Sequence, residues 1–403
     1  MRFARVCAAA ALWVILFEAR AVAAPAEEEE AADEEEAAED KLPRCRTPSA
    51  SRPDKVTIPL RGGFVDGFKF SPAGGGHRYP AIIALHGCAG MWTACRDKHD
   101  KPIKQMTARF DAWAAHLVER GYVVLFTDDF PTDQCGTKEQ DRNPNTAQRA
   151  ERAWDVATWL AREDDVDPNH LALLGWSHGA QAVLAGALRS KQAPKTRKFR
   201  AMIAFYPGCG SFSREHLDPA DWEKSPRVLV LTGAKDDWTR AKYCERLADK
   251  VPLIEHVPHA NAYHGFDGPG NRVCLRTGLA GDRIAHFGGN RVARKQARSR
   301  VRARLLAAFS GPYSEQYDWS LEHELSHDLE QGVAPACQEP EDWCEDEFFD
   351  EAFLAAESEG AESFEEFELL YLEKFAEESD ELQAEFDAEE DAAWKRFEAG
   401  LPP

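Results

Sequence analysis

The sequence predicts an α/β protein with a mostly parallel central sheet covered by helices on both faces. Three observations carry that expectation: short apolar runs recur through the middle of the chain, helical patterns alternate with them, and glycines punctuate the joins. Runs that are apolar at every position suit strands buried on both faces, where a half-exposed strand would alternate.

Taken in order, Ala81-Ile82-Ile83-Ala84-Leu85 reads as the first of these strands. A helix through Phe110, Trp113, Leu117 and Val118 follows, with Gly121 as its stop signal. Tyr122 to Phe126 is the next strand, Trp154 to Leu160 the next helix, and Leu171 to Leu174 another strand. Ala201 to Phe205, Val228 to Leu231 and Leu253 to Val257 extend the sheet. Asn290 to Phe309 closes the unit as a helix with an apolar end at Leu305, Leu306 and Phe309 and seven basic residues between Arg291 and Arg304. Trp113, Trp154 and Trp159 fall at helical spacings that suit core or sheet-covering positions.

This unit is expected over residues 55–312. Before it, residues 1–23 have the form of an export signal: Arg2 and Arg5, an apolar run from Val6 to Phe17 too short to span a bilayer, then small residues near Ala21-Val22-Ala23. The mature protein is therefore expected outside the cytoplasm, periplasmic or extracellular, with no membrane span. Residues 24–54 form an acidic linker, and residues 313–403 an acidic extension, partly helical or disordered, with aromatic residues at spacings of three and four. The 70 acidic residues against 49 basic ones give a net charge of -21, which argues against nucleic acid and anionic membranes as partners. Opposite charges would favour docking of the extension on the basic helix at 291–304. Of 10 cysteines, nine follow the signal, and in an exported chain these suit disulfides better than metal ligands. Cys337 and Cys344 are close enough in sequence for a local bridge.

The chemistry begins at Gly175-Trp176-Ser177-His178-Gly179, which lies between the apolar run at 171–174 and the small-residue run from Ala180 to Leu188. A serine hydroxyl is a poor nucleophile at neutral pH, so it must stand out of the backbone on a tight turn beside a base and beside N–H donors. A strand before and a helix after Ser177 supply such a turn. An acid and a base are then expected further on, each on a loop at the carboxyl end of a strand. The run at 228–231 leads into Thr232-Gly233-Ala234-Lys235-Asp236-Asp237, with Asp236 the expected acid and Asp237 the alternative. Tyr263-His264-Gly265-Phe266-Asp267 supplies His264 as the base, with His259 as the alternative. Oxyanion donors are expected at the N–H of His178 and of Cys88, or Ala89, in the loop His86-Gly87-Cys88-Ala89-Gly90. Trp176 and Trp238 flank these loops, where an aromatic side chain lines an acyl pocket or simply packs.

These stretches together resemble the dienelactone hydrolase family of α/β-hydrolases, over roughly residues 55 to 310. The resemblance implies an eight-stranded α/β-hydrolase core with no metal and no cofactor, acting on a small-molecule carboxylic ester or lactone through Ser177, His264 and Asp236. One departure matters: the enzymes that name the family carry cysteine at the nucleophile position, so Ser177 points to a general carboxylesterase and away from the namesake substrate.

Two other classes compete. His323-Glu324-Leu325-Ser326-His327 matches the H-E-x-x-H zinc protease pattern, although its acid-rich surroundings, with Glu322 and Asp328 on either side, are unlike a working site. A non-catalytic interaction protein built on a hydrolase core would use its acidic tracts to bind a basic partner. The order Ser, Asp, His argues against that loss.

Overall fold

The computed structural model describes residues 42–74, 77–130, 143–192, 198–279 and 283–309. The strands run β1 (Asp54–Leu60), β2 (Gly63–Phe70), β3 (Tyr79–Leu85), β4 (Trp92–Arg96), β5 (Pro102–Met106), β6 (Val123–Thr127), β7 (Val166–Trp176), β8 (Phe199–Phe205), β9 (Val228–Gly233), β10 (Ile254–His259), β11 (Val273–Leu279) and β12 (Arg283–Gly288). The α-helices are α1 (Ala108–Val118), α2 (Thr146–Leu160), α3 (His178–Leu188), α4 (Phe212–Glu215), α5 (Ala241–Lys250) and α6 (Arg291–Phe309).

The chain divides into two compact units. The smaller comprises, among the described residues, 42–47 with Trp92–Met106. Here β4 and β5 form an antiparallel hairpin, Arg44 bridges Arg96, and Cys45 is disulfide-bonded to Cys95. The Gln105 amide clasps Arg46 from both sides, accepting from its N–H at 3.0 Å and donating to its carbonyl at 2.6 Å. The described end of the expected linker is thus tied into a small β-structure.

In the larger unit an eight-stranded sheet has the order β1-β2-β6-β3-β7-β8-β9-β10. β1 pairs antiparallel with β2, and β2 antiparallel with β6; every pairing from β6 to β10 is parallel. This is the mostly parallel α/β sheet the sequence predicts. Its middle strands are buried through their apolar runs, with β6 and β9 buried at every residue. Helix starts and stops follow local chemistry. Asn145 and Gln148 close a reciprocal capping box at the start of α2, and Gly121, at φ 78°, ends the turn after α1. Ala293, Ala297, Val301, Leu305 and Phe309 form the buried stripe of α6.

The connections decide where a ligand can bind. From β3 the chain passes through α1 to β6 on one side, then through α2 to β7 on the other side of β3. Such a reversal opens a crevice at the carboxyl ends of the two central strands. Residues 86–90 follow β3 and Ser177 follows β7, so both arrive at that crevice. The signal, most of the linker, the extension with its H-E-x-x-H stretch, its Cys337 and Cys344, and its expected docking on α6 lie outside the described residues.

Candidate active site

Ser177 sits between the last residue of β7 and the first of α3, at φ 52° and ψ -117°. A non-glycine residue held there stores roughly 1–3 kcal/mol of backbone strain, which surrounding contacts must offset. Its N–H donates to the Phe205 carbonyl at 2.9 Å, while its own carbonyl accepts from Gln181 N–H at 2.9 Å. The flanking glycines are required by close approach. A Cβ on Gly175 would lie 2.4 Å from the Gly179 carbonyl oxygen, and one on Gly179 would lie 2.1 Å from the Leu85 carbonyl oxygen. Trp176 and His178 are buried, whereas Ser177 is half-exposed. His178 opens α3, where backbone N–H groups lack helical partners and the helix dipole favours negative charge.

Beyond β9 the chain turns so that Asp236 is buried and fully engaged. Its Oδ1 accepts the N–H groups of Trp238 at 3.0 Å and Thr239 at 2.7 Å. Its Oδ2 lies 2.9 Å from His264 Nδ1 and accepts from Thr239 Oγ1 at 2.9 Å. A carboxylate only accepts, so His264 carries its proton on Nδ1 and presents Nε2 as the basic nitrogen. The imidazole stands against the Tyr206 and Trp238 rings, with centroids 4.4 Å and 4.6 Å away. Its backbone is held by Gly288 N–H at 3.0 Å, beside the β12 residue Phe287.

Both alternatives from the sequence go elsewhere. Asp237 accepts from the N–H of His286 at 3.0 Å and pairs with its Nδ1 at 2.7 Å. His259 faces Gln296 on α6 at 3.2 Å. Among the described residues no hydrogen bond reaches Ser177 Oγ. Ser177 and the Asp236–His264 pair meet through β8: Phe205 accepts the Ser177 N–H, and the next residue, Tyr206, touches His264.

The loop after β3 lies against Ser177, since a Cβ on Gly87 would come 3.4 Å from Ser177 Cβ. His86 fixes this loop. Its Nδ1 is 2.7 Å from the Gly87 carbonyl oxygen and its Nε2 accepts Asp129 N–H at 3.2 Å. Burial, reinforced by the Arg149 charge, pushes its pKa down to about 3, so the ring is neutral with both nitrogens in use. Because a peptide is planar and trans, turning the Gly87 carbonyl toward His86 turns the Cys88 N–H the opposite way. Cys88 is itself disulfide-bonded.

Behind the loop lies a buried ion pair, Arg149 Nε to Asp129 Oδ2 at 2.9 Å. Burial works against the charged carboxylate, but the Arg149 charge, with that of Arg152 and the Arg149 hydrogen bond, outweighs it and holds Asp129 below the usual range. Arg149 also reaches His178 Nδ1 at 3.2 Å, and His178 Nε2 meets Thr146 Oγ1 at 3.1 Å. A guanidinium only donates, so His178 accepts at Nδ1 and gives its Nε2 proton to Thr146.

Three contributors escaped the sequence reading. Thr239 touches both members of the acid–base pair, and His86 orients the loop through its side chain. Asp267, fully buried, accepts from Trp113 at 2.8 Å, Trp176 at 2.6 Å and the Tyr206 hydroxyl at 2.6 Å, binding the residues on either side of the elbow into one floor. Trp176 and Trp113 are thus packing residues, wholly buried. Among the described residues no group of three His, Cys, Asp or Glu side chains could hold a metal ion.

Residues 145–267, a stretch holding both Ser177 and His264, match the family model described as alpha/beta hydrolase fold. With the sheet order and the elbow, this defines the larger unit as an α/β-hydrolase domain. Similar solved structures include a dienelactone hydrolase-like promiscuous phosphotriesterase from metagenomic libraries, at 17% identity and TM-score 0.46, covering 64% of this chain and 98% of that one. Esterase 2 of Thermogutta terrifontis, phosphorylated by paraoxon, matches at 18% identity and TM-score 0.42, over 66% of this chain and 98% of that one. An esterase of Pyrobaculum calidifontis matches at 17% identity and TM-score 0.40, over 70% and 92%. No curated protein matches in sequence.

Proposed function

We propose that this chain is a serine hydrolase that cleaves carboxylic esters or lactones through an acyl-enzyme, with Ser177, His264 and Asp236 as its triad. The observation that carries this reading is the 2.9 Å pairing of His264 Nδ1 with Asp236, which leaves Nε2 as the basic nitrogen in a site whose expected nucleophile, Ser177, stands on a strained turn. Ser177 Oγ attacks the carbonyl carbon while His264 Nε2 takes its proton, and Asp236 stabilises the imidazolium that forms. The oxyanion is received by the N–H groups of His178 and Cys88. His264 then returns the proton to the departing alcohol, and water, activated by the same nitrogen, releases the acid. In a lactone the alcohol stays attached and the ring opens.

The cysteines support an exported setting for this enzyme. Cys45–Cys95 and Cys209–Cys244 are disulfides, and Cys88 and Cys274 are also bonded, a pattern that persists in oxidising compartments. Among the described residues no helix is long and apolar enough to cross a membrane.

The test is labelling with a fluorophosphonate followed by peptide mass analysis, beside hydrolysis of a short-chain nitrophenyl ester. Modification of Ser177, and a fall in turnover of about a thousandfold or more in Ser177→Ala, is the expected result. An unlabelled Ser177 with no hydrolysis across a broad ester panel would favour a binding protein. Hydrolysis that survives Ser177→Ala and is lost to a chelator would favour the H-E-x-x-H stretch.

A further inference from the structure

Thr239 stands where three loops meet. Its Oγ1 lies 3.0 Å from the Tyr206 carbonyl oxygen, 2.9 Å from Asp236 Oδ2 and 3.0 Å from His264 Nδ1. Those partners follow β8, β9 and β10 respectively. A hydroxyl has one proton and two lone pairs. The carbonyl and the carboxylate can only accept, and His264 Nδ1 bears a proton because Asp236 is its partner. Thr239 therefore gives its hydrogen to one of the two oxygens and offers a lone pair to the imidazole N–H.

We propose that Thr239 is a positioning residue for the acid–base pair, its hydroxyl locking the His264 ring by joining the loops after β8, β9 and β10. A single Nδ1–H···carboxylate bond leaves the ring free to tilt about that contact. A second acceptor beside the first makes the bond three-centred and fixes the ring plane, and with it the direction of Nε2. The rings of Tyr206 and Trp238 limit the same tilt. Direction matters because proton transfer falls steeply once the reacting atoms leave their line.

The role is separable from the placing of Asp236. Its Oδ1 is held by the backbone N–H groups of Trp238 and Thr239, which no side-chain change removes. Thr239→Val keeps the branching and the volume while deleting the hydroxyl. Thr239→Ser keeps the hydroxyl and drops the methyl.

The inference rests on the proposed serine hydrolase reading, so the experiment begins with the wild-type full chain: labelling of Ser177, then kcat and KM on a short-chain nitrophenyl ester. Thr239→Val is expected to lower kcat about tenfold with KM changed less than about twofold, while Thr239→Ser recovers most of the loss. The melting temperature of both variants should stay within about 5 °C of wild type, so that a catalytic loss is not a folding loss. An active wild type with an unimpaired Thr239→Val, or with Thr239→Ser as poor as Thr239→Val, overturns the inference alone. A wild type that neither hydrolyses the ester nor labels at Ser177 overturns the proposed function and this inference with it.

Discussion

His86 and His264 stand on opposite sides of Ser177 and are almost equally buried, yet the structure uses them in opposite ways. His86 donates from Nδ1 to a neutral carbonyl and accepts a backbone N–H at Nε2, so no nitrogen is left to take a proton. His264 donates from Nδ1 to a carboxylate, and no bond occupies its Nε2 among the described residues. An imidazole facing a carbonyl beside Arg149 is held neutral; one that donates to a carboxylate keeps its other nitrogen available. The chemical difference between a loop fastener and the proposed base thus lies in the acceptor, with burial nearly the same.

The largest effect expected from breaking this contrast comes from Asp236→Asn. The asparagine can donate an N–H to Nδ1, which would favour the tautomer protonated at Nε2 and remove the base. A fall in kcat of about 10³–10⁴-fold is expected, with the fold retained. Asp237→Asn is the control, because its partner is His286 on β12. Its kcat should stay within about threefold of wild type, since the half-buried Asp237–His286 pair makes no contact with His264 Nδ1. Steady-state kinetics on the two variants decide the matter, and an equal loss in both would sink the assignment of roles.

His86→Ala is expected to come next, at about 10- to 100-fold in kcat. The Gly87 carbonyl loses its side-chain donor, the Gly87–Cys88 peptide can rotate, and the oxyanion loses a donor placed in advance. His86→Asn can restore an N–H toward that carbonyl and should recover part of the rate. A rate unchanged in His86→Ala would show that the loop keeps its orientation without the side chain.

Legibility in the sequence follows the same physics. Strands β3, β6, β7, β8 and β9 could be read because burial on both faces writes them as continuous apolar runs, and β10, a partly buried edge strand, from Leu253, Ile254 and Val257. The hairpins β1–β2, β4–β5 and β11–β12 could not. In β2, Gly67 is set by tight packing, since a Cβ there would lie 2.8 Å from Ile58 and 2.9 Å from Leu125, and glycine in a strand carries no periodic signal. Of the candidate site, Ser177, Asp236 and His264 were reachable from order along the chain. The choice between Asp236 and Asp237 was not, because adjacent acids have the same spacing. The turn decides it, by giving the N–H groups of Trp238 and Thr239 to Asp236. His86 escaped notice as a side chain because the loop drew attention for its small residues. Asp267 lay inside a stretch picked out for His264, and only tertiary packing shows that Trp113, Trp176 and Tyr206 converge on it.

The smallest expected effect is on stability and tests the neutrality of His86 without any substrate. Burial lowers the pKa of His86 and His116 to about 3 and of His256 to about 4, against 6.5 when unfolded. A histidine depressed in the fold contributes stability that is present above its unfolded pKa and lost as pH falls below it. The unfolded chain then binds more protons than the folded one, and each such histidine costs about 1.4 kcal/mol per pH unit below roughly 6.5. Asp129, lowered from 3.8, adds nothing to this slope between pH 7 and 5, because it is ionised in both states there. The urea midpoint should therefore fall on going from pH 7 to pH 5. His259 is lowered by burial as well, so His86→Asn removes one of four titrating groups and should flatten that fall by roughly a quarter to a third. A slope the same in wild type and variant would mean that His86 takes up a proton in the folded protein and is not the neutral fastener of its loop.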